Sequence, residues 1–238
     1  MSTLSKEEFT RYSRQFMLPE IGLQGQEKLK NAKVLVVGAG GLGCPALQYL
    51  SAAGIGTIGI MDFDKVELHN LHRQILYSTQ DVGKHKAETA AEKLKAQNPT
   101  NSYIVFNEKL DETNIEKIIP AFDIIVDGSD NFATRYLVND NCVKFNKPLV
   151  YGSILKFEAQ LAVFNYKNGK NLRDIYPEPP NPEDVPSCDE NGVLGVVPGI
   201  IGVYMANATI QIIIDQYTNN GLFVFDLKRF STLRIEME

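Results

Sequence analysis

The chain has 238 residues, of which 44% are hydrophobic and 22% are charged, and its formal net charge is −5. This composition is ordinary for a globular protein with a hydrophobic core, and the length fits one large domain or a domain with an appendage. The chain contains no run of Lys and Arg residues, so the composition disfavours a nucleic-acid-binding protein. The first residues are polar and include Glu7 and Glu8, so we expect no secretory signal there.

Cysteine and histidine usage bears on redox state and metal content. The three cysteines are Cys44, Cys142 and Cys188, and no C-x-x-C pair occurs. Such a small, odd number predicts reduced thiols in a cytoplasmic protein. The three histidines also lack zinc-finger spacing, so no zinc is expected. Cys44 and Cys142 lie in predicted helices and are interpreted as buried small hydrophobic side chains.

The first half of the chain alternates predicted helices and strands. Ser5 and Glu8 form a capping box, which predicts a helix that carries Arg11 and Arg14. Residues 33–37 are apolar and rich in β-branched side chains, which predicts a strand buried on both faces. The elements predicted after it are a helix from the glycine-rich segment to about residue 53, a strand at 58–61, a helix at 83–97, strands at 103–106 and 124–126, a helix to about residue 146 and a strand at 149–151. This alternation predicts a doubly wound, Rossmann-like α/β fold with a mainly parallel sheet.

The pattern changes after residue 151. The elements predicted there are an alternating strand at 158–166, a helix at 199–217 and short strands at 222–226 and 233–236. Five prolines at 177–186 predict an extended loop. The stretch 199–217 is interrupted by polar residues and is slightly short for a membrane span, so we predict a buried amphipathic helix and no membrane contact. We interpret 1–238 as a single domain whose second half, about 151–238, is an antiparallel C-terminal extension.

A glycine-rich segment follows the first predicted strand. Gly38-x-Gly40-x-x-Gly43 joins a strand to a helix, which allows a tight turn and a close approach of backbone amides to phosphate. Asp62 lies 24 residues after Gly38 (62 − 38), at the end of the next strand, where a carboxylate can accept hydrogen bonds from a ribose. This context predicts a nucleotide site in the half at about 1–150. Helix packing is the alternative role of these glycines, and the motif alone does not choose NAD over ATP.

Cationic and amide side chains come next in the chain. Asn70, Arg73 and Gln74 follow the ribose carboxylate, and Lys84 and Lys86 open the following helix. Several cations that converge on a nucleotide suit a triphosphate better than a dinucleotide. The alternatives are a solvated helix face for Lys86 and a surface ion pair for Arg73.

Two carboxylates follow the fourth predicted strand. Asp127 and Asp130 lie at the carboxyl edge of the sheet, where open α/β proteins bind ligands. An exposed carboxylate beside a triphosphate is a natural Mg²⁺ ligand. Since Asp127 could cap the next helix instead, we assign the metal role to Asp130.

Five ordered segments together resemble the ThiF/MoeB/HesA family, the bacterial relatives of ubiquitin-activating enzymes. They are RYSRQ (11–15), VVGAGGLGCP ending at Pro45, DFDKVELHNLHRQ (62–74), GKHKAE (83–88) and DGSDNFATR (127–135). The resemblance covers nearly the whole chain, and the residues from 177 to 199 are most similar to the MoeB-type branch. Five motifs in this order are far more specific than the glycine signature alone.

The resemblance implies a role for each matching position. By this resemblance, Gly41, Asn70, Arg73 and Lys86 would contact the ATP phosphates, and Asp62 would hold the ribose. The residues that would complete the ATP site are Gly38, Gly40, Gly43 and Gln74. Asp130 would bind Mg²⁺. Arg14 would reach into the ATP site of a partner subunit, which implies a homodimer with two ATP sites.

The implied reaction is ATP-dependent adenylylation of the C-terminal glycine of a ubiquitin-like sulfur-carrier protein. The carrier would be of the MoaD or ThiS type, end in Gly-Gly and bind the half at about 151–238. Pyrophosphate would leave, and the product would be ready for thiocarboxylate formation in molybdopterin or thiamine biosynthesis. The residues agree with this chemistry, because a C-terminal carboxylate with a pKa of about 3.5 is already ionised and needs no general base. Mg²⁺ and fixed cations would neutralise the phosphate charge.

The sequence leaves open the role of Cys188 and the source of the transferred sulfur. Cys188 lies in the Pro-rich loop, where relatives carry a cysteine that in some of them forms a covalent link to the carrier or a sulfur donor. Both a covalent role and a passive role remain open for this thiol. Many relatives hold a zinc between two C-x-x-C pairs that this chain lacks. The MoeB-type branch is often fused to a rhodanese domain, so a rhodanese or another sulfur donor is an expected partner.

Two other functions compete with the adenylyltransferase. An NAD-dependent Rossmann oxidoreductase is favoured by the glycine signature and Asp62, and disfavoured by the set of Arg73, Lys86 and Asp130. A non-catalytic partner that binds a sulfur carrier is compatible with the missing zinc ligands. A family branch that acts on a modified tRNA base is disfavoured by the acidic charge balance.

Overall fold

The computed structural model describes residues 4–180 and 192–237. Its strands are β1 (Lys33–Val37), β2 (Thr57–Met61), β3 (Ser102–Phe106), β4 (Ile124–Asp127), β5 (Leu149–Leu155), β6 (Glu158–Phe164), β7 (Gly221–Asp226) and β8 (Ser231–Glu236). They form one eight-stranded sheet in the order β3-β2-β1-β4-β5-β6-β7-β8. Neighbours from β3 to β5 are parallel and those from β5 to β8 are antiparallel. The predicted α/β fold with a mainly parallel sheet and an antiparallel C-terminal extension is confirmed.

Helices cover both faces of the parallel part of this sheet. They are α1 (Lys6–Arg11), α2 (Ser13–Phe16), α3 (Gly22–Asn31), α4 (Gly43–Ala53), α5 (Lys86–Gln97), α6 (Ile115–Ile118), α7 (Phe132–Lys144), α8 (Leu172–Ile175) and α9 (Val196–Ile213). Val34 and Val36 of β1 pack into the core layer that contains residues of α4, α5 and α9. Leu35 and Val37 pack into the opposite layer with residues of α6 and α7. The prediction that β1 is buried on both faces is therefore confirmed.

The N-terminal helix is shorter than predicted. The capping box of Ser5 and Glu8 is present, but α1 ends at Arg11, and Arg14 lies in the separate short helix α2. The chain turns at Tyr12, whose side chain is only 3% exposed. Burial of this aromatic side chain and its hydrogen bonds therefore outweighs continuation of the helix.

Three other boundaries differ from the prediction because of long-range contacts. α5 begins at Lys86 and not at Gly83, since Gly83 has a φ of +89° and its amide bonds the Val66 carbonyl. β5 continues to Leu155, since its second half pairs with β6. α9 begins three residues before the predicted stretch of 199–217, at Val196, and ends four residues before its predicted end, at Ile213.

The helix α9 is long and apolar enough to cross a membrane by length and composition alone. This finding corrects the expectation that the stretch is too short and too polar. Half of the helix is buried within the protein, where it packs on α4, β5 and β6. Ile201, Met205 and Thr209 on its inner face have no exposed surface. These contacts confirm that the helix packs in the core, but the prediction that it is amphipathic is wrong, since its exposed face carries the apolar side chains of Val196, Ile200 and Tyr204.

The strand register brings three loops together at one edge of the sheet. Val37 at the end of β1 lies between Met61 of β2 and Asp127 of β4. The Gly38 amide donates to the Met61 carbonyl at 2.8 Å, and the Gly128 amide donates to the Val37 carbonyl at 2.8 Å. The glycine segment, the segment after β2 and the segment after β4 therefore lie side by side.

Candidate functional site

The glycine loop turns sharply against the loop after β4. Gly38 has a φ of +90°, and a Cβ there would lie 2.8 Å from the Gly128 carbonyl oxygen. A Cβ on Gly43 would overlap the Gly38 carbonyl oxygen. Both positions therefore require glycine. At the start of α4 the Cys44 amide donates to the Gly40 carbonyl at 2.9 Å, whereas the amides of Gly40 and Gly41 make no hydrogen bond with a described residue, which makes this loop suitable for an anion.

Asp62 fastens the end of β2 to the glycine loop. Its Oδ2 accepts a hydrogen bond from the Ala39 amide at 2.8 Å, and its Oδ1 accepts one from the Asp64 amide at 2.9 Å. Burial raises the pKa of this carboxyl, while the charge of Lys86 and the two amide bonds oppose that rise. The side chain lies where the sequence predicts it, beside the glycine loop, with lone pairs left for another donor.

Lys86 is held at the same edge of the sheet. Its Nζ lies 2.9 Å from Asp64 Oδ2, and its amide donates to the Asp64 carbonyl at 2.9 Å. The side chain of Lys86 is only 7% exposed, whereas that of Asp64 is 50% exposed. The alternative of a solvated helix face is therefore wrong for Lys86. The ammonium is positioned because Lys86 is the first residue of α5 and because its Nζ pairs with the exposed Asp64 carboxylate.

Lys84 has a different environment. Its Nζ lies 3.2 Å from Asp81 Oδ1, and Lys93 lies 2.7 Å from the other oxygen of that carboxylate. Burial alone would raise the pKa of Asp81, but hydrogen bonds from Lys93 and Ser78 lower it well below its ordinary value. Lys84 therefore belongs to a salt-bridge cluster that joins the segment before α5 to Lys93 on α5, and not to the glycine loop.

The segment after Asp62 forms a turn that faces the glycine loop. Asn70 is buried, and its Oδ1 caps this turn by accepting from the Glu67 amide at 3.1 Å. Arg73 donates to the His69 carbonyl at 3.1 Å, and its Cγ lies 3.7 Å from the position of a Cβ on Gly41. The structure therefore brings Arg73 to the glycine loop, as predicted.

Gln74 in the same turn has an unmet hydrogen-bonding capacity. Its Nε2 lies 3.6 Å from the position of a Cβ on Gly40. Its Oε1 is buried and has no hydrogen-bond partner among the described residues. Buried acceptors are nearly always paired, so an unpaired one beside a glycine loop fits a ligand or ordered water.

Asp127 and Asp130 have opposite environments at the end of β4. Asp127 is fully buried, its Oδ1 accepts from the Ser129 amide at 2.9 Å, and burial raises its pKa against the charge of Arg135. Asp130 is exposed and makes no hydrogen bond or ion pair with a described residue. Asn131, not Asp127, caps α7. Asp130 is therefore the carboxylate of this loop that is free for a cation.

Arg135 is a residue of this site that the sequence analysis did not single out. It is 6% exposed, donates to the Ser129 carbonyl at 2.9 Å and to the Tyr151 hydroxyl at 3.0 Å, and stacks on the Tyr151 ring. It thus holds the turn that presents Asp130. Its position at the end of the DGSDNFATR segment was the available signal, but only the fold shows that it is buried.

Arg14 and the three cysteines are the other residues to which the sequence analysis gave a role. Arg14 is exposed on α2 and is not brought to the glycine loop of its own chain. Cys188 lies outside the described residues. Cys44 and Cys142 are buried, as predicted, and burial raises the pKa of the Cys44 thiol to about 12.

This arrangement suits a nucleotide with several phosphates and one divalent cation. Among the described residues, no cluster of three or more His, Cys, Asp or Glu side chains could hold a metal ion. Mg²⁺ is commonly bound by one or two carboxylates together with substrate phosphates, so Asp130 alone fits it. Asp62 fits a ribose, and Lys86 and Arg73 fit phosphates. The described side chains at this edge favour charge neutralisation over proton transfer.

Comparisons with known proteins agree with this geometry. The model of the ThiF family matches residues 12–238. A protein of Culex quinquefasciatus named "Adenylyltransferase and sulfurtransferase MOCS3" is 49% identical over 95% of this chain and 52% of its own length. A Thermus thermophilus protein named "Sulfur carrier protein adenylyltransferase" is 48% identical over 88% of this chain and 79% of its own length. The chain thus spans about half of the mosquito relative.

Solved structures show the same fold. A crystal structure of E. coli MccB with ATP has a TM-score of 0.83 and is 26% identical, with 95% of this chain and 71% of that chain covered. The match extends over both the parallel part and the antiparallel extension of the sheet.

Proposed function

The chain belongs to the ThiF family, and we propose that it adenylylates the C-terminal glycine of a ubiquitin-like sulfur-carrier protein with Mg-ATP. The observation that carries this proposal is the grouping of Lys86, Arg73 and an unpaired Asp130 around a glycine loop. The names of the Culex and Thermus relatives, which contain "adenylyltransferase", support the same reaction.

The reaction requires charge neutralisation more than proton transfer. A carboxylate oxygen of the carrier's terminal glycine attacks the α-phosphorus of ATP, and the bond from that phosphorus to the pyrophosphate oxygen breaks. Mg²⁺ would supply charge neutralisation to the phosphates, with Asp130 as its protein ligand. Lys86 and Arg73 hold the phosphates and stabilise the charge that develops on the leaving pyrophosphate. Asp62 orients the ribose, and backbone amides of the glycine loop donate hydrogen bonds to phosphate oxygens.

The surface of the C-terminal half is suited to binding a protein substrate. Every residue of the edge strand β8 is exposed, including Leu233 and Ile235 at 61% and 45%. Phe230 in the preceding turn is 94% exposed. Exposed apolar side chains on an open strand edge are typical of a surface that binds another protein. We propose that the half at about 151–238 binds the carrier through this surface.

A second copy of the chain would complete each ATP site. Val196, Ile200 and Tyr204 recur every four residues on the outer face of α9 and are 59%, 39% and 44% exposed. Such an apolar stripe favours a protein interface. We propose a homodimer in which Arg14 of each subunit enters the ATP site of the other.

The product would be a carrier adenylate ready for thiocarboxylate formation, in molybdopterin or thiamine biosynthesis. The name of the Culex relative includes "sulfurtransferase", which supports a rhodanese or another sulfur donor as the next partner. We also propose that the protein is cytoplasmic and contains no zinc, and elemental analysis of the purified protein tests the zinc content.

The test is to incubate the protein with Mg-ATP and purified MoaD-like and ThiS-like carriers that end in Gly-Gly. Pyrophosphate release and carrier mass are measured together. Carrier-dependent pyrophosphate and a mass gain of one adenylate are expected, and the responding carrier identifies the pathway. ATP binding without release for any carrier would support the non-catalytic carrier-binding alternative instead.

A further inference from the structure

The residues around Arg14 are anchored, while Arg14 itself is free. Arg14 is exposed and makes no hydrogen bond or ion pair with any residue in the described part of the chain. Tyr12 and Gln15, on either side of it, point into the protein. The RYSRQ segment therefore presents one unpaired guanidinium from a fixed backbone.

Tyr12 is fixed on the C-terminal end of α4. Its hydroxyl accepts from Asn98 Nδ2 at 2.8 Å and lies 3.2 Å from Thr100 Oγ1. Its ring lies against Gly54, where a Cβ would approach the ring to 2.5 Å. Gly54 has a φ of +88° and caps α4 in the left-handed conformation. Both the ring and this cap therefore require glycine at position 54.

Gln15 is fixed on the same helix end. Its Nε2 donates to the Ala53 carbonyl at 3.0 Å and to Gln26 Oε1 at 2.7 Å. Gln26 has no exposed surface and donates to the same Ala53 carbonyl at 3.0 Å. A carbonyl that the helix leaves unpaired is thus satisfied by the segment that carries Arg14.

This attachment separates Arg14 from the glycine loop of its own chain. α4 begins at that loop and ends at the anchor, and its 11 residues rise about 16 Å at 1.5 Å per residue. The backbone that carries Arg14 is therefore about one helix length from the glycine loop at the near end of α4. The anchor therefore favours action on a different molecule.

We propose that Tyr12 and Gln15 are positioning residues, which fix the Arg14 segment on α4 so that the guanidinium enters the ATP site of the partner subunit already ordered. This inference rests on the proposed function, in which Arg14 acts in trans. Neither side chain touches ATP. Their contribution is to lower the conformational freedom that Arg14 would otherwise lose in the reaction.

A double-mutant cycle tests the proposal on the full-length protein, with kcat and the KM for ATP measured from carrier-dependent pyrophosphate release. Tyr12→Phe and Gln15→Ala are each expected to lower kcat about tenfold to a hundredfold, since a displacement of about 1 Å can cost about a hundredfold. ATP binding is expected to stay unchanged. In an Arg14→Ala background the same substitutions are expected to cause no further loss.

Tyr103→Phe is the matched control. The Tyr103 hydroxyl bonds Ser51 and two carbonyls in the same polar network, but it makes no hydrogen bond to residues 11–15. This variant is expected to keep the wild-type kcat. Mixed dimers of Lys86→Ala and Gln15→Ala subunits are expected to recover activity, because one site then combines an intact lysine with an anchored arginine.

The outcomes separate the inference from the function on which it rests. If Arg14→Ala lowers kcat while Tyr12→Phe and Gln15→Ala leave it unchanged, or if their losses multiply with that of Arg14→Ala, the positioning role is refuted. If Arg14→Ala itself has no effect on an active enzyme, the trans arginine is refuted first. Coupled losses with recovery in mixed dimers support both.

Discussion

The carboxyl edge of the parallel strands and the edge strand β8 carry different kinds of surface. Where β1, β2 and β4 end, Asp62, Lys86 and Asp127 are all less than a tenth exposed and are held by backbone amides or an ion pair. By contrast, every residue of the edge strand β8 is exposed. A small anion is bound by groups that are ordered before it arrives, whereas a protein partner covers a broad apolar surface. Substitutions in the first region should therefore change kcat, and substitutions in the second should change carrier binding.

The largest effect is expected for Lys86→Ala. It removes the buried ammonium and leaves Asp64, which is half exposed, in contact with water. By analogy with a lost oxyanion donor, kcat should fall about 10²–10³-fold, or about 2.7–4 kcal/mol. Lys84→Ala is the matched control, because it breaks only a pair with Asp81, whose carboxylate keeps its second pair with Lys93. Equal losses of kcat for the two variants would contradict the separate roles assigned to these lysines.

Asp130→Asn tests the metal role. The substitution keeps the shape of an exposed side chain that has no partner among the described residues, so stability should stay unchanged. Loss of one Mg²⁺ ligand should lower activity about 10²-fold at limiting Mg²⁺, with partial recovery as Mg²⁺ is raised. Asp140→Asn, which breaks an exposed pair with Arg173, is the control. A Mg²⁺ dependence identical to that of the wild type would exclude Asp130 as the ligand.

Leu233→Asp sharpens the comparison from the side of β8. A charge on this exposed strand should raise the KM for the carrier about tenfold or more, while ATP binding and kcat at saturating carrier stay near wild type. Val143→Asp on α7 is the control, because Val143 is also an exposed apolar side chain, at 43%. A loss of kcat without a change in carrier KM would place the carrier elsewhere.

The smallest expected effect is the loss of folding stability in Asp81→Asn and its dependence on pH. The pKa of Asp81 is lowered in the folded state despite its burial, because Lys93 and Ser78 stabilise the carboxylate. This stabilisation is present above the unfolded pKa of about 3.9 and is lost as the pH falls through the lower folded pKa. Urea unfolding should therefore show Asp81→Asn to be less stable than wild type at pH 7. A difference that does not shrink below pH 4 would contradict this ion-pair origin.

The predictable parts of the site are those that follow from local sequence. Gly38 and Asp62 come directly after apolar strands and Asp130 three residues after one. Parallel strands end at one edge, so the grouping of these residues follows from the order of elements. Lys86 and Lys84 could not be separated in this way, because the start of α5 depends on the Gly83 amide bond to Val66. The burial of Arg135 depends on Tyr151, 16 residues away.

The N-terminal segment shows the same limit. The capping box correctly predicts where α1 begins, but one continuous helix was expected through Arg14. The break at Tyr12 depends on Asn98 and on Gly54, which lie far along the chain. A local pattern cannot include such contacts, so the separate presentation of Arg14 was visible only in the folded structure.

ATP–pyrophosphate isotope exchange is the most direct test of the central claim. The labelled pyrophosphate should enter ATP only when a Gly-Gly carrier with a free terminal carboxylate is present, and Lys86→Ala should slow the exchange about 10²–10³-fold. A carrier with an amidated C-terminus should not support it, because the nucleophile is then missing. Exchange that proceeds equally with the amidated carrier, or without any carrier, would contradict adenylylation of the terminal glycine.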